Sequence, residues 1–370
     1  MPKRRVRETP PNYGRMPKEL QNRLRRHADD HSIEDPLTVN AVHEGDAREL
    51  LPRIPSGSVA LSVWSPPYFV GKSYEADLTF ATWRHLLNDV IRLHERVLKP
   101  GGFLAINIAD ILCFRDESMP KVQAQNITGH RSKVTRDQVL KAAAANPGMN
   151  RYELAKLLRC SEQTIDRRLN GNNIRGGKYD AQTRVRIVGG LLEEWALAAG
   201  LYPYDRRVWV KDPAWENSKW HTLSYRSIDE FEYIYVFWKP GVTLVDRSRL
   251  TADEWREWGS RGVWFIPSVR VNDDHEAKFP VELPRRLIRL LTAPRDVVLD
   301  CFLGSGTTAV AALLERRSYI GIEKETAYAR LARQRITAEA TEVGSSATPY
   351  LSSAMPRKKS SRRSQISLGT

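Results

Sequence analysis

Two stretches of this 370-residue chain carry side chains whose types and spacing could do chemistry. The first is Ser65-Pro66-Pro67-Tyr68, which follows the apolar run Val59–Trp64, and such a run predicts a buried strand. Two prolines end that strand and fix a rigid, extended turn. The turn presents a hydroxyl, a carbonyl and an aromatic face, which could stack on a planar ring and accept hydrogen bonds from an amine. A proline-rich turn that only ends a strand would show the same pattern.

The second stretch is residues 297–308, where an apolar strand runs into a turn containing Gly304 and Gly306 before a helical pattern. Glycines at the carboxyl end of a strand let a ligand approach the backbone closely. The next predicted strand ends in Glu323, an acid placed to bond ribose hydroxyls. The chain has no G-x-x-x-x-G-K-[ST] loop, so a nucleoside triphosphate is not the first ligand to expect.

Taken together, Ser65-Pro66-Pro67-Tyr68 and residues 300–308 resemble the motifs of the DNA amino-methyltransferase family. These enzymes use S-adenosylmethionine to methylate the exocyclic amine of cytosine or adenine. The catalytic motif precedes the cofactor loop, which resembles the beta-class, circularly permuted order. The resemblance covers about 39–112 and 201–338. It implies an α/β, Rossmann-like methyltransferase sheet with helices on both faces. Cys301 stands where the family usually has proline, which should change the stiffness of the loop and not its chemistry.

The resemblance also implies site residues. Asp46 would lie near the adenine of the cofactor, although an aspartate there could equally cap a helix. Lys278 is a candidate partner of the cofactor carboxylate, with a solvated lysine as the alternative. The catalytic candidates are Ser65, Pro66, Pro67 and Tyr68, and the cofactor candidates are Asp46, Lys278, Phe279, Pro280, Asp300, Phe302, Gly304, Ser305, Gly306, Thr307 and Glu323.

The residue before Pro-Pro-Tyr bears on the target atom. Serine in that place is the pattern usual for family members that methylate the cytosine N4 amine, so Ser65 favours cytosine. The family is not strict on this, and adenine N6 is the first alternative. Methylation of RNA and a catalytically inactive DNA-binding regulator are further alternatives. The chain has no Pro-Cys dipeptide, so methylation at a ring carbon is not expected.

The composition agrees with a polyanionic partner. The formal net charge is +14, which suits duplex DNA, although an unrelated basic enzyme could carry it too. Cysteine and histidine spacing predicts no metal site and no disulfide framework. The chain has no run long enough to span a membrane and no signal-peptide core, which predicts a cytoplasmic protein. A cognate restriction endonuclease is a candidate partner, and the sequence leaves the oligomeric state open.

Charge and periodicity divide the chain into a basic arm (1–36), a catalytic half (37–112), a helical insertion (113–190), a cofactor-binding half (191–342) and a disordered basic tail (343–370). In the insertion, helices over 151–158 and 162–169 flank a tight turn, which resembles a helix-turn-helix. Its outward residues Gln163, Thr164, Arg167 and Arg168 could face DNA, or the insertion could only pack on the main domain.

Three further expectations concern the rest of the chain. Residues 74–80 should form a loop over the site, and residues 182–199 should form one helix. Residues 240–275 mix tryptophans and arginines on irregular backbone, which suits base-edge and phosphate contacts. The alternative for that region is a packed layer whose tryptophans belong to the core, so which segment reads the target sequence stays open.

Overall fold

A computed structural model describes residues 35–69, 78–114, 133–169, 184–213, 227, 229–269 and 279–345. The strands are β1 (Ala41–Glu44), β2 (Val59–Trp64), β3 (Leu98–Ile108), β4 (Ile111–Phe114), β5 (Arg184–Arg186), β6 (Tyr202–Val210), β7 (Phe231–Trp238), β8 (Val263–Phe265), β9 (Val297–Asp300) and β10 (Ser318–Glu323). The helices are α1 (Ala47–Leu50), α2 (Phe80–Val97), α3 (Arg136–Ala145), α4 (Arg151–Leu157), α5 (Glu162–Leu169), α6 (Gly189–Ala199), α7 (Glu282–Leu291), α8 (Thr307–Leu314) and α9 (Thr326–Ser345).

Eight of these strands form one sheet in the order β1-β10-β9-β2-β3-β7-β6-β8. The first five strands run parallel, β7 is antiparallel to both of its neighbours, and β8 is parallel to β6. Strand β9, from the C-terminal half of the chain, therefore lies directly beside β2, from the N-terminal half. The carboxyl ends of five parallel strands meet at one edge, which is where α/β proteins bind ligands.

Helices cover both faces of this sheet. On one face, α2 and α6 bury Trp83, Leu87, Ile91 and Leu192 against the strands. On the other, α7, α8 and α9 bury residues that include Leu287, Val310 and Ala332. The layered Rossmann-like fold expected from the sequence is therefore confirmed. Helix α2 begins where Thr79 and Thr82 cap each other's backbone N–H groups, and its apolar residues recur at helical spacing.

The prediction of one helix over residues 182–199 is wrong. Residues 184–186 form β5, which pairs antiparallel with β4, and α6 begins only at Gly189. The chain turns between them where the Val188 N–H donates to Asp110 Oδ1 at 2.8 Å. The β4–β5 ribbon stands where the chain leaves the main sheet for the insertion and where it returns.

The region of residues 240–275 is less irregular than the sequence predicted, whereas its contact with DNA stays a prediction. Strand β8 lies inside it, and both Trp258 and Trp264 are buried in the core. The Arg286 guanidinium stacks between these two indoles, 5.3 and 5.4 Å from their centroids. Arg286 belongs to α7, outside this region, and it packs on both tryptophans because a planar guanidinium stacks well on an aromatic face.

The insertion has a small core of its own. Helices α3, α4 and α5 bury Val139, Leu154, Ala155 and Ile165 against one another. Ser161 caps the start of α5, because the Thr164 N–H donates to Ser161 Oγ at 3.3 Å. Two of these helices, α4 and α5, lie within the bounds 151–158 and 162–169 that the sequence predicted.

Several expectations fall outside the described residues. The basic arm up to residue 34, residues 74–77 of the expected loop, Lys278 and the tail from residue 346 all lie there. Among the residues that the structure does describe, no helix is long and apolar enough to cross a membrane. Within the same residues, no group of three or more histidine, cysteine or acidic side chains could hold a metal ion.

Candidate active site

Ser65 lies directly after β2, in the middle of the sheet edge. Trp64 pairs with Ile106, so Ser65 stands beside Asn107 of β3. Ser65 Oγ donates to the Asn107 carbonyl at 3.0 Å and lies 2.7 Å from Tyr68 Oη. The turn is held from below, because the Trp83 indole N–H donates to the Pro67 carbonyl at 2.7 Å. The four catalytic candidates therefore form one rigid turn at the carboxyl ends of β2 and β3.

A buried acid that sequence reasoning missed stands behind this turn. Glu232 of β7 is only 7% exposed, and its Oε2 accepts the Tyr68 hydroxyl at 2.6 Å and Asn107 Nδ2 at 2.7 Å. Its Oε1 accepts Lys211 Nζ at 2.7 Å. Ser65, Tyr68, Asn107, Glu232 and Lys211 thus form one hydrogen-bonded group, which we call the Glu232 network.

Lys211 is held as a cation in this network. Burial would lower the pKa of Lys211, but the attraction of Glu232 and of Asp229 outweighs it and leaves the pKa above its usual value. Asp229 Oδ2 lies 3.5 Å from Lys211 Nζ. The only local signal for these residues is an acid at the second position of an apolar strand, where the alternation of β7 turns it inward.

Asp300 ends β9 at the same edge of the sheet. Its Oδ1 accepts the Phe302 N–H at 3.0 Å, whereas its buried Oδ2 has no hydrogen-bond partner among the described residues. Burial raises the pKa of Asp300 to about 7, and the nearby Thr308 hydroxyl and the Phe302 N–H oppose that rise. The Thr308 hydroxyl lies near Asp300, but it makes no hydrogen bond with a described residue.

Glu323, the predicted ribose ligand, also accepts hydrogen bonds from the protein backbone. Its Oε2 accepts the Gly304 N–H at 2.6 Å, and its Oε1 accepts the Glu325 N–H at 2.9 Å. Gly304 has φ +54°, a conformation that glycine adopts at little cost. Burial raises the pKa of Glu323. The acid therefore ties the glycine loop to the end of β10, and a carboxylate has capacity for further hydrogen bonds.

That Gly306 leaves room for a ligand stays a prediction, and the structure gives a conformational reason for glycine at this position. Gly306 has φ +88° and caps α8, and a Cβ added there would lie 3.2 Å from the backbone of Ala332 in α9. The requirement for glycine is conformational. The side chains of Ser305 and Thr307 also turn to α9, where Arg335 donates to both hydroxyls at 3.1 and 3.0 Å. These two side chains fix the loop to α9.

Asp46 caps the start of α1, which is one of the two roles that the sequence predicted. Its Oδ1 accepts the Arg48 N–H at 2.9 Å, and its two oxygens also bind the Arg48 guanidinium. These bonds to Arg48 lower the pKa of Asp46 despite partial burial. Asp46 follows β1, which pairs with β10, so it also lies at the edge of the sheet where ligands bind.

The remaining cofactor candidates are aromatic or apolar. Phe302 packs edge-on against Trp64, with ring centroids 5.3 Å apart. Phe279 and Pro280 are partly buried before α7.

The four DNA-facing candidates of the insertion separate in the structure. Arg167 is exposed, but Arg168 Nε donates to the Val134 carbonyl at 3.0 Å, so Arg168 is turned toward the start of α3. Thr164 is half-buried, and its hydroxyl lies 3.0 Å from Ser161 Oγ. The side chain of Gln163 is outside the described part of the chain.

Comparison with known proteins gives matches over most of the chain. Residues 59–334 match the family N6_N4_Mtase, described as DNA methylase. Type II methyltransferase M.BglI of Bacillus subtilis is 60% identical over 300 residues, which are 81% of this chain and 86% of that protein. Type II methyltransferase M.Cfr9I of Citrobacter freundii is 28% identical over 320 residues, 84% of this chain and 92% of that protein. The structure of TTHA0409 from Thermus thermophilus, a putative DNA modification methylase complexed with S-adenosyl-L-methionine, matches with a TM-score of 0.53 and 26% identity over 82% of this chain and 95% of that one.

Proposed function

The chain belongs to the N6_N4_Mtase family of DNA methylases, and from this premise we propose that its target is the exocyclic N4 amine of cytosine in duplex DNA. The coarser activity follows from the family: the protein is an S-adenosylmethionine-dependent DNA methyltransferase of the Type II restriction–modification kind. The observation that carries the finer proposal is the neutral hydroxyl of Ser65 at the head of the rigid turn.

The residues at the glycine loop suit S-adenosylmethionine. Asp300 Oδ2 supports this fit, because it is a buried carboxylate oxygen without a hydrogen-bond partner in the described part of the chain. A cationic group such as the ammonium of an amino acid would satisfy that oxygen and favour the ionised carboxylate. We assign Asp300, Glu323, Asp46 and the backbone of the Gly304 loop to cofactor binding. When bound, S-adenosylmethionine supplies an electrophilic methyl group on a sulfonium sulfur.

The catalytic turn would act on the target amine by hydrogen bonding. The lone pair of an aromatic amine is delocalised into the ring, so the nitrogen is a poor nucleophile. Two acceptors, Ser65 Oγ and the Pro66 carbonyl, would hold the amine hydrogens and favour a more pyramidal nitrogen. Because both acceptors stand on one rigid turn, positioning contributes much of the acceleration. The base has to leave the duplex to reach the turn, which costs a few kcal/mol of unstacking.

DNA would be held by basic surface outside the turn. We propose that the insertion within residues 113–190 is a DNA-contacting unit, with the exposed Arg167 as its best-placed cation. The remaining divisions of the chain, from the basic arm (1–36) to the tail (343–370), stay part of the same proposal. A cognate restriction endonuclease as partner is supported by the Type II names of M.BglI and M.Cfr9I.

The experiment that tests the target is mass spectrometry of nucleosides from DNA incubated with enzyme and S-adenosylmethionine. We expect N4-methylcytosine, and N6-methyladenine as the sole modified nucleoside would overturn the cytosine assignment. Ser65→Ala should lower turnover by about 100-fold with little change in DNA or cofactor affinity, because the bond matters most as the nitrogen reacts. Ser58→Ala is a matched control, since within the described part of the chain the Ser58 hydroxyl donates only to the Pro55 carbonyl, in the turn before β2.

A further inference from the structure

The direction of each hydrogen bond in the Glu232 network can be worked out from its chemistry. An ionised carboxylate only accepts, so the Tyr68 hydroxyl and the Asn107 amide must donate to Glu232 Oε2. The Tyr68 proton therefore points at Glu232, at 2.6 Å. Toward Ser65, which is 2.7 Å away, Tyr68 Oη can act only as an acceptor.

Ser65 is consequently the donor within the protein. Its single proton can go to Tyr68 Oη or to the Asn107 carbonyl at 3.0 Å, and both of these atoms accept. Asn107 Nδ2 lies 3.4 Å from Ser65 Oγ and has shorter contacts to Tyr68 and Glu232 at 2.8 and 2.7 Å. The lone pairs of Ser65 Oγ are thus poised to accept an N–H from a substrate, and an unbroken chain of hydroxyls leads from that oxygen to a buried carboxylate.

We propose that Glu232 is the terminal acceptor of the proton that the substrate amine loses, which it receives through Ser65 and Tyr68. This inference rests on the proposed amine methylation. As the nitrogen forms its bond to the methyl carbon and the sulfur–carbon bond breaks, the nitrogen becomes positively charged. Its proton passes to Ser65 Oγ, the Ser65 proton to Tyr68 Oη, and the Tyr68 proton to Glu232 Oε2. Each hydroxyl is restored, and Glu232 becomes a neutral acid that later returns the proton to solvent.

The groups around Glu232 suit this role. Lys211 at the end of β6 contacts Oε1 at 2.7 Å and favours the ionised, proton-accepting form. Asp229, just before β7, lies 3.5 Å from the same ammonium, so Lys211 keeps an anionic partner when Glu232 is neutral. Among the described residues, Tyr68 and Asn107 also face the carboxylate, and each donates to it.

The test compares Glu232→Gln, Tyr68→Phe and the double variant by single-turnover transfer of labelled methyl groups to DNA. Each single variant should lower the rate constant about 100-fold, the usual contribution of a positioned acid–base group. The double variant should be no slower than the slower single variant, because both changes break the same relay. Glu230→Gln, the same change two residues earlier, should keep the wild-type rate.

Two outcomes would overturn the relay: multiplicative losses in the double variant, or a normal rate in Tyr68→Phe. Tyr68→Phe removes one oxygen, so it keeps the proposal testable if Glu232→Gln fails to fold. Counting transferred methyl groups does not depend on which base is modified. A wild-type protein that methylates adenine would therefore refute the cytosine proposal while leaving the relay open to the same measurement.

Discussion

Replacing Asp300 with Asn should stabilise the cofactor-free protein at neutral pH and weaken its affinity for S-adenosylmethionine. The carboxylate is 2% exposed, and its Oδ2 has no partner among the described residues. An amide would keep the acceptor for the Phe302 N–H and would present a donor toward the nearby Thr308 hydroxyl. Asp300 is therefore a residue at which we expect stability and ligand binding to oppose each other.

The size of the effect follows from the pKa. Burial raises the pKa of Asp300 from 3.8 to about 7, and each pKa unit corresponds to about 1.4 kcal/mol, so the ionised group costs the fold about 4 kcal/mol. The unfolded chain releases this proton near pH 4 and the folded chain near pH 7. Stability from this group is therefore lost as pH rises through that interval and is constant above it. Asp300→Asn removes the penalty, and we expect a net gain of about 2 kcal/mol at pH 8 because burying an amide has its own cost.

The assay is urea unfolding of wild type and variant at pH 5 and pH 8, without cofactor, followed by calorimetric titration with S-adenosylmethionine. The advantage of the variant should grow by up to about 3 kcal/mol between the two pH values. Cofactor affinity should fall about 10- to 100-fold, the worth of one hydrogen bond to a charged group. Asp296→Asn, at the other end of β9, is the matched control. Asp296 pairs with Lys99 on the far side of the sheet, so its loss should not weaken cofactor binding.

Two results would refute this reasoning. An Asp300→Asn variant that is less stable than wild type at both pH values would show that the buried carboxylate is not a burden on the fold. An unchanged affinity for S-adenosylmethionine would remove Asp300 from the cofactor site and would leave its unpartnered oxygen without a ligand.

The remaining predictions concern the loop, the core and the insertion. The Gly306→Val variant should unfold at a lower urea concentration than wild type, because a side chain at φ +88° is strained and its Cβ meets Ala332 at 3.2 Å. A variant with wild-type stability that no longer binds the cofactor would instead support a ligand contact at Gly306. Burial lowers the pKa of His94 to about 4, so the buried ring stays neutral where the same ring in the unfolded chain takes up a proton. The free energy of unfolding should therefore fall by about 3 kcal/mol as pH falls from about 6.5 to 4, and urea unfolding of His94→Gln should not show this fall. Arg167→Ala should reduce the slope of log affinity for DNA against log salt concentration by roughly 1, whereas Arg168→Ala should mainly destabilise the insertion. Equal slopes in Arg167→Ala and wild type would mean that the insertion only packs on the main domain.

The sequence by itself determined the elements whose signals are local. Strand β2 has the bounds that its apolar run predicted, and the two prolines after Ser65 end it. The glycine loop, the strand that ends in Glu323 and the helices α4 and α5 of the insertion also follow from patterns within about 15 residues. The motif order predicted that β2 and β9 would serve one site, because both strands deliver their carboxyl ends to the same edge.

Tertiary structure alone decided which side chains share that site. Tyr68 and Glu232 are 164 residues apart, and Asn107 and Glu232 are 125 apart, so no local pattern connects them. They meet because β7 pairs with β3 in one register, and a shift of one residue would turn Glu232 to the other face.

Packing likewise decided what several predicted residues do. Gly306 is constrained by Ala332 of a helix that begins 20 residues later, and Ser305 and Thr307 are bound by Arg335 of the same helix. Trp258 and Trp264 are buried where α7 supplies arginines that stack on them. The periodicity of the sequence indicates which residues are buried, but the partner that each buried residue contacts depends on how distant elements pack. This packing determines the charge state of Asp300 and the direction of the hydrogen bonds at Ser65.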